Sequence, residues 1–566
     1  MRQVRNGARS VVLGLVALVA TAGLARNAVA AVCGDVNGNG SVTTADVTKL
    51  RRVIAGLDPV GTACGGSGAL QCGDIRADGA LAPNDVVVLL NYLAGNPLVV
   101  PICSGTGPQV PRGTTISGSI NQTQTWTAGG EVCCPNENGS ADITIDGTVF
   151  VNPGVTLTIN PGTLIKGKKV SSDTSPSVLV FLKGAKINAP GRSDCPIVMT
   201  SDQPVGSRNS GDWGGLVING LAKTNCSGSG PGGCFAEGLN NVPFGGTDDN
   251  DSSGVMHYIR VAFSGIEISP DNELNVITEN GVGAGSQFDH LATQNGGDDC
   301  MEWFGGSVSE KFLVSTGCAD DMFDTQLGTR GSYQFCFGAD YQSNLQTGNG
   351  NNGFEWDDNE NNNVAVPLNQ PKFCNVTMMG TKQEASASGG SGALLRRGTN
   401  GKIANTIMTK FFTSGLQVTD NATMDQACQL VSGIPTLVAD PLTFRNSIMF
   451  DNGPGATNVN LSGSSFSAPR CTTAQWYNLM SGNDPATASG TGANPFPGSI
   501  AYPASVSDVD SMFVPTSANG GADCAALFNG IPFTTFQAAQ YVGAFDPGSA
   551  TTWLDNTSCW IKFDKH

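Results

Sequence analysis

Two sets of oxygen-bearing residues carry most of the chemistry legible in this chain. In the first, Asp35, Asn37, Asn39, Ser41, Thr43 and Asp46 fall at positions 1, 3, 5, 7, 9 and 12 of a loop, with Gly40 at position 6. Oxygens at alternate positions converge on one cation, the glycine permits the sharp turn, and the last acid closes the shell, which is the ligand spacing of an EF-hand calcium loop. A copy follows 39 residues later with Asp74, Asp78, Gly79 and Asp85. Arg76 stands at its third position and a cation cannot ligate calcium, so the second loop is the weaker one.

The second set lies mid-chain. Gly297-Asp298-Asp299-Cys300-Met301-Glu302-Trp303 aligns with Ala319-Asp320-Asp321-Met322-Phe323-Asp324-Thr325 at a shift of 22 residues, and Gly350-Asn351-Asn352-Gly353-Phe354-Glu355-Trp356 keeps the layout. Stacking these segments puts Asp298 over Asp320, Asp299 over Asp321 and Glu302 over Asp324, with Glu355 next. Carboxylates about 5 Å apart repel, so such a ladder binds cations or raises some carboxyl pKa values. Three chemistries compete for it. Asp298, Asp299, Asp320 and Asp321 are candidates for a structural calcium site. Trp303, Phe304 and Trp356 are candidate stacking faces of a carbohydrate groove. Glu302 and Asp324 are the candidate carboxyl pair of a glycoside hydrolase, or of a polysaccharide lyase with Lys410, Arg396 or Arg397 as base. Two rungs repeating nearly the same acids read as architecture more than as a catalytic pair in two distinct environments, so no catalytic residue is assigned.

Both sets need elements to hold them. After the first loop, Val47, Leu50, Val53 and Ile54 follow helical spacing. From residue 105 onward, short β-rich runs at 142–145, 148–151, 156–159, 163–166, 178–182 and 216–218 are broken by Gly, Asn, Asp and Pro. His290-Leu291-Ala292 over Phe312-Leu313-Val314, and Gly392-Ala393-Leu394 over Gly415-Leu416-Gln417, extend the 22- to 23-residue period. That period is one coil of a solenoid. The expected fold class is mainly β: a parallel, right-handed β-helix body over 105–566, with a small α-helical module at 31–104. A Gly-, Ser- and Pro-rich irregular insertion is expected around 451–521.

Residues 33–103 resemble a type I dockerin, on Asp35-x-Asn37-x-Asn39-Gly40-x-Val42-x-x-x-Asp46, a following helix and a second such unit. The resemblance implies a cohesin-like partner, or a neighbouring surface protein, contacted through Thr44, Ala45, Lys49 and Leu50, with Pro83 and Asn84 in the second copy. Each unit carries two cysteines 31 residues apart, and clasps from Cys33 to Cys64 and Cys72 to Cys103 would brace a module too small for a large core. The body resembles a group of large secreted bacterial proteins, lipoproteins and hypothetical surface proteins among them. The matching pieces include Gly162-Thr163-Leu164-Ile165-Lys166-Gly167, Trp213-Gly214-Gly215-Leu216-Val217-Ile218 and Leu395-Arg396-Arg397-Gly398. That likeness implies a fold and a surface location but no activity.

Residues 1–30 read as a signal peptide: Arg2, Arg5 and Arg9, then an apolar stretch, then Ala28-Val29-Ala30 as the cleavage site. Removing its four arginines takes the formal charge from −17 to −21. So acidic a surface is a poor partner for nucleic acid or anionic membrane and a good one for Ca2+. No later apolar run is long enough to span a membrane. Seventeen cysteines in an exported chain predict disulfides, and the odd count leaves one thiol over. With neither a nucleophile elbow nor a His-Glu-x-x-His motif, serine-hydrolase and zinc-protease chemistry fall away. The reading is therefore a secreted or cell-surface calcium-binding protein whose β-helix presents a glycan- or protein-binding face. The alternative is a polysaccharide-degrading enzyme tethered by its dockerin.

Overall fold

Alternation along the body's strands decides which side chains meet: Ile143–Val151 buries Ile143, Ile145, Val149 and Val151 while its other residues stay half-exposed. No such strand can bury its apolar face alone, and stacking coil on coil supplies the partner. The computed structural model describes residues 36, 43–55, 57, 83–93, 109–128, 133–169, 176–226, 234–269, 272–341, 351–382, 390–454, 460–480, 482–483, 492–555 and 557–565. Two compact units divide the chain, one within residues 1–103 and one running from Ser104 to His566.

In the first unit, helices Thr44–Ile54 and Pro83–Leu93 pack together through Val47, Leu50, Val53, Val86 and Leu89. Thr43 caps the first helix: its hydroxyl accepts from the Ala45 amide, and Asp46 accepts from the Thr43 amide at 2.8 Å. The candidate ligands Asp35, Asn37, Asn39, Ser41, Asp74 and Asp78, the Asp85 side chain, and Cys33, Cys64, Cys72 and Cys103 lie outside the described residues, as do residues 1–30.

The second unit is a parallel β-helix built on one sheet, of 25 strands among the described residues. One column of parallel pairs runs through Val178–Phe181, Gly215–Asn219, Ile277–Asn280, Met301–Phe304, Phe323–Gln326, Phe354–Asp357, Ser391–Arg396 and Ser414–Val418. A second column stacks longer strands, Gly254–Ala262, Gln287–Gln294, Glu310–Thr316, Ser332–Ala339, Lys372–Met379 and Lys402–Thr409. Each long strand bends at one residue of positive φ, namely Tyr258, His290, Phe312, Phe335, Asn375 and Asn405, and pairing skips that residue in every coil. A side chain beyond glycine pays for left-handed backbone, and the stack offsets it. The ring centroid of Tyr258 lies 4.1 Å from that of His290, His290 4.4 Å from Phe312 and Phe312 5.1 Å from Phe335, all stacked with nearly parallel planes. Higher up, Asn375 and Asn405 each donate at 2.7 Å to carbonyls of the C-terminal segment, those of Tyr541 and Ala522.

That C-terminal segment lies along the bend. Trp560 packs edge-on against Tyr258 and His290, and Trp553 against Phe312. Cys134–Cys559 and Cys374–Cys524 tie it down, two of six disulfides among the described residues; Cys336 is left free and buried. Within the stretch around 451–521, expected as an irregular insertion, the described residues include ordered pieces. Leu461–Gly463 adds a strand to the first column, and helix Thr473–Leu479 drives Trp476 and Tyr477 fully into the core beyond the last coil. Small and polar residues disguised a cap held by a few large aromatic side chains and by the indole N–H of Trp476, which donates to the Leu442 carbonyl at 3.0 Å. No described helix is long and apolar enough to cross a membrane.

Candidate functional site

Strand Met301–Phe304 sends Met301 and Trp303 inward, so Glu302 must face outward. The next coils repeat the pattern in register: Glu302 pairs with Asp324 and Asp324 with Glu355, the 22-residue alignment made physical. The turns leading into these strands carry Asp298, Asp299, Asp320 and Asp321. The result is a column of carboxyl groups on the outer wall of the solenoid. Asp298, Asp299 and Asp320 bring one oxygen each within 4.8 Å of one another, as do Asp299, Glu302 and Asp324, and as do Asp321, Asp324 and Glu355.

Backbone and amide donors hold the ladder in shape. The Asp321 amide donates to Asp299 at 2.8 Å, the Asn351 amide to Asp320 at 3.0 Å, and the Asn352 amide to Asp321. Gln326 donates to Glu302 at 2.8 Å, Asn275 donates to the other oxygen of Glu302, and Asn352 donates to Glu355 at 2.9 Å. Two arginines join the column at its far end. Arg396 bridges Glu355 and Asp357, and Arg397 meets Asp357 at 2.7 Å. Asp324, only 8% exposed, has a carboxylate oxygen with no hydrogen-bond partner, and the side-chain carbonyl of Asn275 is likewise unpartnered.

Burial sets the titration. It pushes the carboxyls of Asp298, Asp299, Glu302, Asp321 and Asp324 well above the usual range, and the neighbouring acids push further: Asp320 on Asp298, Asp321 on Asp299, Glu237 on Glu302, Glu355 on Asp321, and Glu302 on Asp324. Glu355 rises to about 7 by burial, with Arg396 working against the rise. Such crowded, desolvated acids either retain protons or take up a cation. The donors are all hard oxygens, the set that suits calcium. Residues able to hold an ion are Asp299, Glu302 and Asp324, flanked by the triads above and below.

Two expectations are corrected here. Trp303 and Trp356 are 1% and 0% exposed, stacked in the interior against Tyr333, Phe323, Phe354 and Phe373, so neither offers a ring face to a sugar. The strand's two-residue alternation explains it: if Glu302 and Glu355 face out, the tryptophans one position on face in. Phe304 does face outward but is covered by Phe244 and its neighbours. Lys410 donates to the Ile500 carbonyl at 2.8 Å, beneath the C-terminal segment, whereas Arg396 and Arg397 do join the column. The residues that sequence reasoning missed are Asn275, Gln326 and Asn352, which orient the acids, and Asp357, whose outward place two residues after Glu355 was readable from the same alternation.

No curated protein and no solved structure matches the chain. A family model does: the one described as pectate-lyase like beta helix domain covers residues 137–483, from the first coils to the cap and including every acid of the column. That match takes in more than half of the chain, and the protein belongs to the family of pectate-lyase-like β-helix domains.

Proposed function

We propose that this is a secreted or cell-surface β-helix protein whose acidic column holds calcium and whose outer wall meets a polysaccharide, in a binding and structural role. The family is compatible with polysaccharide binding or degradation, and the six disulfides fit an extracellular setting. One observation carries the calcium reading: the unpartnered oxygen of Asp324, buried between Glu302 and Glu355, while the nearby Arg396 spends its ion pairs on Glu355 and Asp357. A buried carboxylate with an unmet oxygen is costly, and a divalent ion within reach of three acids removes the cost. Calcium would be held mainly by Asp299, Glu302 and Asp324, with Asp298, Asp320, Asp321 and Glu355 around them. Its chemistry there is charge neutralisation across three coils.

The amino-terminal loops, Asp35, Asn37, Asn39, Ser41, Thr43 and Asp46 with the weaker Asp74, Asp78 and Asp85, form a separate calcium module. Its partner in this reading is a cohesin-like domain or a neighbouring surface protein. The test is calorimetric titration of the secreted chain with calcium, beside Asp35→Ala and Asp324→Asn variants that each remove one class of site. An unchanged isotherm in Asp324→Asn would refute the column as a calcium site.

A second reading has an observation of its own. Glu355, poised at about 7 beside Arg396 and near Asp324, has the character of a general acid, which favours a glycoside hydrolase or lyase. A polysaccharide panel scored for both binding and released sugar separates the two. Cleavage lost in Glu302→Gln or Asp324→Asn with the melting temperature unchanged would establish the enzyme.

A further inference from the structure

Inside the solenoid, on the opposite side of the wall from the acidic column, two more carboxyl groups lie among apolar side chains. Glu279 occupies an inward position of strand Ile277–Asn280, directly beneath Trp303 in register. Glu310 opens strand Glu310–Thr316, stacked between Phe288 and Tyr333. Each is 1% exposed, and no hydrogen bond of good geometry reaches any of their four oxygens. What lies against them is each other and the indole of Trp303, whose buried N–H makes no well-aligned hydrogen bond, nor does the Tyr333 hydroxyl.

An ionised carboxylate in such a place is heavily penalised, and two are worse. No third Asp, Glu, His or Cys joins them to complete a metal-binding group among the described residues. The free thiol of Cys336, which burial and Glu310 push up, adds no positive charge. Asp289 and Lys311, the nearest charged neighbours along the strands, alternate to the other face, where Asp289 pairs with His257 and His290. The group that fits between two facing carboxyls is a proton. We propose that Glu279 and Glu310 share a single proton inside the solenoid, forming a proton-binding site that ties the body's stability to acidic and neutral pH.

The sign follows from burial. Burial raises Glu310 to about 7, and burial followed by Glu310 raises Glu279 well above its ordinary value. An unfolded glutamate titrates near ~4.3, so the stabilising contribution is whole below that pH and is lost as pH rises through the folded value. Thermal melts of the secreted chain at saturating calcium, between about pH 5 and 8, test this against Glu279→Gln, Glu310→Gln and the double variant. Saturating calcium keeps the outer column from titrating, so failure here is distinguishable from failure of the calcium reading. In the parent the melting temperature should fall across that range. Each single variant should lessen the fall by roughly 2 °C or more, and the double variant should add less than the sum. Parallel profiles in the parent and both singles would overturn the proposal. Should the glutamine variants fail to fold, infrared difference spectra of the calcium-saturated parent decide. A protonated-carboxyl band at about pH 6 that titrates away by about pH 9 supports the shared proton, and no such band refutes it.

Discussion

Glu137 and Asp324 are both buried acids of the same solenoid, and the chain treats them in opposite ways. Glu137, 6% exposed, receives Arg208 at 2.5 Å, Lys562 at 2.6 Å and also Arg260, with the Arg208 guanidinium further bonded to its backbone carbonyl at 3.0 Å. Although burial pushes its carboxyl up, Arg260, Lys562 and Arg208 hold it well below the usual range. Asp324, 8% exposed, sees Glu302, Glu355, Asp321 and Asp357 instead, and is pushed up by burial and by all four. Where the fold requires an ionised buried acid, as where the C-terminal segment meets the first coils, it supplies cations from three distant parts of the chain. Where it leaves acids facing acids, they either keep protons or take a cation from outside.

The sharpest way to break this comparison is at Glu137. Glu137→Ala leaves two nearly inaccessible guanidinium groups unmatched, and removing one partner of a buried pair costs roughly 3–5 kcal/mol. Denaturant unfolding at neutral pH should show that loss whether or not calcium is present. The next effect is at the column. With calcium at a hundredfold excess over its dissociation constant the body should gain about 2.7 kcal/mol, read as a raised melting temperature that a chelator reverses. The gain should be absent in Asp324→Asn and intact in the Glu137 variant. A chelator effect of equal size in Asp324→Asn would erase the distinction.

The two sites also differ in how much of them the sequence revealed. The column was legible because its acids recur at one coil's length, so a shift of 22 residues brings Glu302 onto Asp324 without knowledge of the fold. The tryptophans were misplaced because aromatic residues beside acids resemble a sugar groove until the strand's alternation is imposed. Glu137 was not legible at all: its partners are 71, 123 and 425 residues away, and nothing local marks it. The Glu279 and Glu310 pair was hidden for the same reason, since only the winding of the coil turns both toward one interior. In the ladder Tyr258, His290, Phe312 and Phe335, only the His290-over-Phe312 step was read from the coil period; the left-handed bend that stacks the rings leaves no mark in composition. Repetition is visible in a sequence, whereas convergence of distant segments appears only in the fold.

A smaller effect separates the two sites by the sign of their pH response. The depressed carboxyl of Glu137 contributes stability that is present above the unfolded value near ~4.3 and is lost as pH falls through its folded value. The raised column acids do the reverse. Their contribution is whole below the unfolded values and is lost as pH rises, through about 7 for Glu355. Calcium-free protein should therefore be most stable in mild acid and lose stability as the column ionises. Calcium should extend the stable range upward and leave the acid limb, to which Glu137, Asp249 and Asp289 contribute, where it was. Melting curves across pH with and without chelator measure both limbs.

The smallest expected effect is the most discriminating, because it asks whether one end of the column can be converted into the other. Arg396 is the guanidinium that neutralises Glu355 and Asp357, and it is 31% exposed, so its ion pairs are partly screened. Arg396→Gln should cost only about 1 kcal/mol. It also removes the opposing influence on Glu355, whose carboxyl should then titrate above about 7. If pairing with Arg396 is what keeps calcium from the far end, removing it should make the triad Asp321, Asp324 and Glu355 the equal of Asp299, Glu302 and Asp324. Calorimetry should then show tighter calcium binding at the column than in the parent, and saturating calcium should restore most of the lost stability. Unchanged affinity together with the same modest destabilisation would mean that local geometry, and not the missing counter-charge, decides where calcium binds on this wall.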